Sequence, residues 1–416
     1  MKSNLTNSFW TSFLQKVVML FVTMFIISFS FPHYFIPDIG AYTHVFFEKM
    51  VDWFAKNILQ LKKPYTVALI SDSTGMYVNA FLLLIISFPV AFIWQKIDKH
   101  NIAAKLFLWF KVFIRYYLAL QMLVYGFNKV FKWQFYLPEP NTLFTTIGNS
   151  YKDILFWSTM GISRTYSFFT GCCEVLAAVF LLFRRTSLLG AITTFVIMVN
   201  VFMLNLCFDI FVKLYSLFLI FLSLLLIVPH VKLLFNFLIL KKATQLPIEK
   251  GVSLIVRKKN ILPYLKWLVV FILFADSLAL YFEEKNFNDD KFPRPYLHGA
   301  YTVVDFMRNN DTLQPLLTDS FRWRRVFVHR RGYLITQLMN DDMKDYELAI
   351  DSAKKEFLFQ SNEDSIVHSL AYKVDADSLI LLKGKFYDDS IYLKLKKINL
   401  QNLPLLKNEF SWTIDE

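Results

Sequence analysis

The sequence predicts a membrane all-α helical bundle of about seven transmembrane helices, followed by a C-terminal extracytoplasmic antiparallel β-barrel. Two observations carry that fold class. Seven long apolar stretches fill the first two thirds of the 416 residues, and the last third has none; a bilayer core is crossed by roughly 20 apolar residues in a helix. Beyond Phe282 the apolar residues instead alternate with polar ones, which is the period of a half-buried strand. Composition agrees: 55% hydrophobic, 18% aromatic and only 19% charged, too apolar for a soluble domain of this length.

The spans read, in order, as about Phe9–Phe31, Met76–Trp94, Leu106–Tyr125, Tyr166–Phe183, Leu188–Leu206, Ile210–Val228 and Pro263–Phe282. The first is a retained helix, because no small-x-small cleavage site follows its apolar part. Lys2, Lys96, Lys99, Lys105, Arg184 and Arg185 fall on one side of these spans. So do the basic residues between Lys232 and Lys259. The opposite loops, His33–Gly75 and Gly126–Thr165, are longer and less basic. The positive-inside rule therefore places the N-terminus in the cytoplasm of a bacterium. An odd number of spans places the C-terminal domain in the periplasm and the bundle in the inner membrane. The net charge of +12 is read as orientation, with membrane lipids and no nucleic acid as partners. In the outer loops, Val45–Leu61 reads as a helix from the recurrence of Phe46, Phe47, Met50, Phe54 and Ile58. Trp133, Phe135, Tyr136, Phe144 and Trp157 suit an interfacial position.

The domain boundary falls at a charged linker, giving a bundle over 1–285 and a barrel over 286–416. Pro293 and Pro295 keep the linker extended. The strands are read from Tyr301–Val304, Val326–Val328, Tyr333–Thr336, the alternating Tyr346, Leu348 and Ile350, then Phe357 with Phe359 and Leu370 with Tyr372. Leu379 with Leu381, and Ile391 with Leu393 and Leu395, complete the series. Turns are expected at Arg331-Gly332, Asn340-Asp341-Asp342, Asp375-Ala376-Asp377 and Asp388-Asp389. About eight such strands make a meander barrel, either filled by side chains or holding one small ligand. His298, His329 and His368 are too scattered along the chain for a metal site and read as lone surface histidines.

Ionisable groups inside a span are costly and usually face the bundle interior or water. The third span carries Arg115, near mid-depth on this reading, then Tyr117, Gln121, Tyr125, Asn128 and Lys129; Tyr117, Gln121 and Asn128 share a helical face. In the fourth, Gly171, Glu174 and Ala178 lie on one stripe whose small residues permit close helix approach. Glu174 has two candidate partners, Arg115 and Lys129. The fifth span contributes Asn200, Asn205 and Asp209, and a tight turn brings Asp209 to Lys213. Two readings of this set stand: a ligand or proton site at the outer mouth of the bundle, or polar groups that join helices. Cys172, Cys173 and Cys207 lack a Cys-x-x-Cys spacing. They read as buried small hydrophobes, with a Cys207 disulfide to either neighbour left open. No haem, nucleotide or metal motif occurs.

The segment Arg115–His230 resembles the DoxX-like membrane family, through Arg115-Tyr116-Tyr117-Leu118, Tyr125-Gly126-Phe127-Asn128-Lys129, Thr170-Gly171-Cys172-Cys173-Glu174, Phe183-Arg184-Arg185 and Asn205-Leu206-Cys207-Phe208-Asp209. Its family-like core runs over about 106–235. The resemblance implies a bacterial cytoplasmic-membrane bundle, in a family with some members linked to quinone-dependent sulfur oxidation or thiol stress. The missing Cys-x-x-Cys pair weakens the thiol chemistry. Gly299-Ala300-Tyr301 resembles the Gly-x-Trp start of lipocalin or calycin barrels, with Tyr in place of Trp. The function expected from these readings is a periplasm-facing polar pocket for a quinone or lipid. Arg115, Gln121, Asn128, Lys129, Glu174, Asn200, Asn205, Asp209 and Lys213 form that pocket, and the barrel caps it or recruits a partner. The alternative is a non-enzymatic scaffold or accessory subunit that binds an envelope protein through the barrel.

Overall fold

A computed structural model describes residues 2–416 except Pro32, 99–101, 244–254, 257–258, 362–363, 365, 376–378, 408–412 and 414–416. The chain divides into two compact units. The first comprises Met1–Gln134 and Thr165–Asp289, and the second Phe135–Arg164 and Asp290–Glu416. The second unit thus takes in 135–164, a segment that precedes the barrel by more than a hundred residues.

The first unit is helical. Its helices are α1 (Lys2–Ser28), α2 (Gly40–Asn57), α3 (Thr74–Ile97) and α4 (Ile102–Val130). After the second unit's short α5 (Pro140–Leu143) and α6 (Lys152–Ile162) come α7 (Arg164–Leu182), α8 (Ser187–Cys207), α9 (Lys213–Ile227), α10 (Val231–Leu238) and α11 (Leu262–Glu283). Among the described residues seven helices are long and apolar enough to cross a membrane, with α9 and α10 forming one span. They correspond to the seven stretches read from sequence. The expected helix at Val45–Leu61 is α2, but it begins five residues earlier and ends before Ile58. Phe47, Val51, Phe54 and Ala55 are its buried face, whereas Phe46 and Ile58 are exposed.

Carboxylates placed at helix starts hold this unit together. Asp98 accepts the N–H groups of Ile102 and Ala103 at the start of α4 and lies 3.1 Å from the Lys16 ammonium of α1. Asp72 accepts the N–H groups of Lys213 and Leu214 at the start of α9. Both satisfy donors that have no partner within a helix and meet the positive end of its dipole. Asp276 in α11 accepts from the N–H groups of Phe35 and Ile36 and bonds the His33 ring at 2.7 Å.

In the second unit eight strands close a meander barrel: β1 (Gly299–Arg308), β2 (Trp323–His329), β3 (Tyr333–Leu338), β4 (Met343–Asp351), β5 (Glu356–Gln360), β6 (Val367–Val374), β7 (Leu379–Phe386) and β8 (Asp389–Lys397). Each pairs antiparallel with the next, β8 returns to β1, and the two-residue strand Asp311–Thr312 folds back to pair antiparallel with Met307 and Arg308 at the end of β1. Gly332, at φ +74°, supplies the left-handed turn between β2 and β3. The expected turn at 375–377 falls largely outside the described residues. The barrel is filled. Trp323, Phe306, Phe357, Phe359, Tyr372 and Phe386 occupy its interior with the aliphatic residues of β8. One face reads differently from sequence: in β7, Ile380 and Leu382 point inward, and Leu379 and Leu381 do not. Leu379–Leu382 is continuously apolar, so alternation is uninformative there; the register of Leu382 opposite Leu393 and Tyr372 decides it.

β2 and β3 are buried on both faces over much of their length. The reason is a second, external core. Phe144, following α5, stacks on Phe327 at 5.7 Å beside Ala300 and Ile335, and Arg325 lies over the Phe144 ring.

Candidate functional site

In the first unit the stripe on α4 meets α7 where two glycines cross. A Cβ on Gly171 would stand 2.6 Å from the Gly126 carbonyl oxygen, and one on Gly126 2.8 Å from that of Gly171. Backbones can approach this closely only without side chains. The approach brings the Lys129 ammonium within 2.7 Å of both oxygens of Glu174, with both side chains below 10% exposure. Ser167 Oγ donates to the Lys129 carbonyl on the same crossing. Of the two partners read for Glu174, the structure joins it to Lys129. Gly171→Ala is therefore expected to push the helices apart and cost about 1–3 kcal/mol, read as a lower thermal unfolding midpoint in detergent.

Tyr117, Gln121, Tyr125 and Lys129 recur every four residues and so share one side of α4. The Lys129 ammonium lies 5.3 Å from the Tyr125 ring centroid, and the Tyr117 and Tyr215 hydroxyls bond each other at 2.9 Å. Gln121 is fully buried, and among the described residues neither atom of its carboxamide has a hydrogen-bond partner. Burying an unpaired amide costs on the order of 1–3 kcal/mol.

The other expected pocket residues divide. Asn128 accepts from the Tyr281 hydroxyl. Asn205 donates to the Val212 carbonyl and to Ser216 Oγ, so it ties α8 to α9. Lys213 pairs with Asp209 at 2.9 Å across the tight turn, where Asp209 takes a positive φ. Asn200 is exposed on the outside of α8. Arg115 belongs elsewhere. It stands about 21 Å of helix rise from Lys129, level with Arg184 and Arg185 beyond the end of α7. Along the helix itself Arg115 lies near the middle of α4 (Ile102–Val130). All three cysteines are free thiols, and Cys172 and Cys207 are exposed rather than buried.

The second unit holds a cluster that spacing alone does not suggest. Glu139, just before α5, is buried against the barrel rim. Its carboxylate is bonded by the Arg330 guanidinium Nε and backbone N–H and lies 3.2 Å from His298 Nε2 and 3.6 Å from His329 Nε2. Arg330 also donates to the Leu137 carbonyl and stacks over Tyr136. His298 and His329 are thus not lone surface residues; they converge on one acid. His368, also buried, packs against Phe386 inside the barrel. Burial works to raise the Glu139 carboxyl, but the His298 hydrogen bond and the nearby charges of His329 and Arg330 outweigh it and hold it down at about 2. Burial pushes His329 below its usual range. No group of three or more metal-ligating side chains occurs among the described residues.

No family model and no solved structure matches the chain. Among curated proteins, 99 residues, or 24% of the chain, are 39% identical to the uncharacterised protein YwoB of Bacillus subtilis (strain 168). The chain spans 62% of that protein's length.

Proposed function

We propose that this multi-pass membrane protein is a DoxX-like protein of a bacterial cytoplasmic membrane. Its helical unit binds an amphiphile with a carbonyl head, a quinone or a lipid, on the stripe from Tyr117 to Lys129 and Glu174. The N-terminus lies in the cytoplasm and the barrel in the periplasm. Gln121 carries the reading: a fully buried carboxamide with both its donor and its acceptor unanswered suits a polar head from outside the chain. Glu174 and Lys129, already paired with each other, set the field around that head. Neither the resemblance nor the relative assigns a reaction.

Native mass spectrometry of the gently solubilised full-length protein, with lipid extraction, tests this. One bound quinone or lipid is expected in the wild type and its loss in Gln121→Leu. The variant is expected to unfold no earlier, because removing an unpaired amide is neutral or stabilising. A wild type without a bound molecule, or a variant that keeps it, sinks the reading.

The filled barrel favours a second role for the other unit. With its interior occupied by aromatic side chains, the barrel acts through its outer surface, as a docking module for an envelope protein. Co-purification of one protein with the full chain, lost when 286–416 is removed, is the expected result; capture that persists without the barrel rejects it.

A further inference from the structure

Away from Glu174, the first unit has a groove of about 650 Å³ between α4, the end of α7 and the first turns of α11. Four cationic side chains line it, Arg115, Arg184, Arg185 and Lys266, and no carboxylate is among its described lining residues. Trp109 and Phe183 form part of its apolar wall, and the Lys266 ammonium sits 4.6 Å from the Phe183 ring centroid. An adjoining cleft shares Arg115 and adds Lys111 and His230. So many like charges gathered beside apolar walls repel one another more strongly than they would in bulk water.

A solvated face would account for such cations if water surrounded them. The neighbouring surface is instead apolar. Tyr264, Trp267, Leu268 and Phe271 of α11 are all exposed, within a helix long and apolar enough to cross a membrane. A ligand that satisfies both features carries negative charge at one end and hydrocarbon along its length. We propose that this groove binds one anionic phospholipid. Arg115, Arg184, Arg185 and Lys266 take the phosphate, and the acyl chains lie along the exposed flank of α11. Guanidinium groups suit this because they bind phosphate oxygens in pairs, and basic pockets between membrane helices recognise such head groups. The site is separate from the Gln121 stripe and stands whether or not that stripe binds a ligand.

The test uses the full chain in detergent, titrated with phosphatidylglycerol or phosphatidylcholine and followed by native mass spectrometry. Arg185 is exposed and Lys266 half-buried, so Arg185→Gln/Lys266→Gln should fold; Lys232→Gln, at an exposed position on α10, controls for net charge. The wild type is expected to retain phosphatidylglycerol over phosphatidylcholine. The double variant should lose about tenfold or more in phosphatidylglycerol affinity, the scale of one charge-assisted hydrogen bond, and the control should lose little. No head-group preference in the wild type, an unchanged double variant or an equal loss in the control overturns the proposal. Inorganic phosphate and glycerol phosphate, tested by thermal shift, separate the sources. If either stabilises the protein as much as phosphatidylglycerol at equal concentration, the phosphate comes from solution and the lipid assignment falls.

Discussion

Glu174→Leu is expected to destabilise the helical unit by about 3–5 kcal/mol, the scale of removing one member of a buried ion pair. The Lys129 ammonium bonds both carboxylate oxygens at 2.7 Å. Without them it remains a charge in a poorly solvated site. Glu174→Gln should cost less, because its amide oxygen still accepts one hydrogen bond. The double variant Glu174→Leu/Lys129→Met should recover much of the loss, since replacing a whole buried pair by apolar groups is often neutral. Thermal unfolding midpoints of the purified chains measure all three. A single Glu174→Leu as stable as the wild type would mean that Lys129 reaches water, and that the pair does not clasp α4 to α7.

The second large effect concerns Glu139. Its side chain and that of Arg330 are 4% and 2% exposed, so Glu139→Leu leaves a buried guanidinium without its carboxylate. The expected cost is again about 3–5 kcal/mol, with residues 135–164 detaching from β2 and β3. The pH dependence has a definite sign. A carboxyl held at about 2 in the folded protein and 4.5 when unfolded binds fewer protons when folded. Its contribution, about 3 kcal/mol, is complete above pH 4.5 and lost as the pH falls from there toward 2. His329 adds to this. Its folded value lies below the ordinary 6.5, so the folded state resists its protonation, and stability starts to fall as pH drops through 6.5. Hydrogen exchange of peptides from β2 and β3, followed between pH 7 and 3, should show protection falling in the wild type. Glu139→Gln should be less protected at pH 7 and flatter below pH 4.5. Equal protection in the two proteins across that range would remove Glu139 from the account.

The seven spans and the strand-rich last third were legible because each reflects a local rule that holds without knowledge of neighbours. A bilayer demands length and apolarity, and a strand with one buried face demands alternation. Where alternation is absent, the local rule is silent. Leu379–Leu382 offers apolar residues to both faces, and only its pairing with β6 and β8 selects Ile380 and Leu382 for the interior. The start of α2 escaped notice because Gly40 and Ala41 carry no periodic apolar signal, although Gly40 is buried.

The polar sites show the same division. Sequence marked Glu174 and the glycine beside it as unusual within an apolar span, because the cost of an acid in lipid is a property of the residue and its surroundings in the chain. It offered both Arg115 and Lys129 as partners, since each lies on the same long helix. The crossing of Gly126 over Gly171 chose Lys129 and left Arg115 level with Arg184. Glu139 passed as one loop charge among several because its partners are 159, 190 and 191 positions away. The sequence by itself therefore determined the solvent each segment faces, lipid for seven helices and water on one side of the strands. Only the tertiary structure decided which charges meet, because ion pairing depends on distances of a few ångströms between segments whose separation along the chain carries no such information.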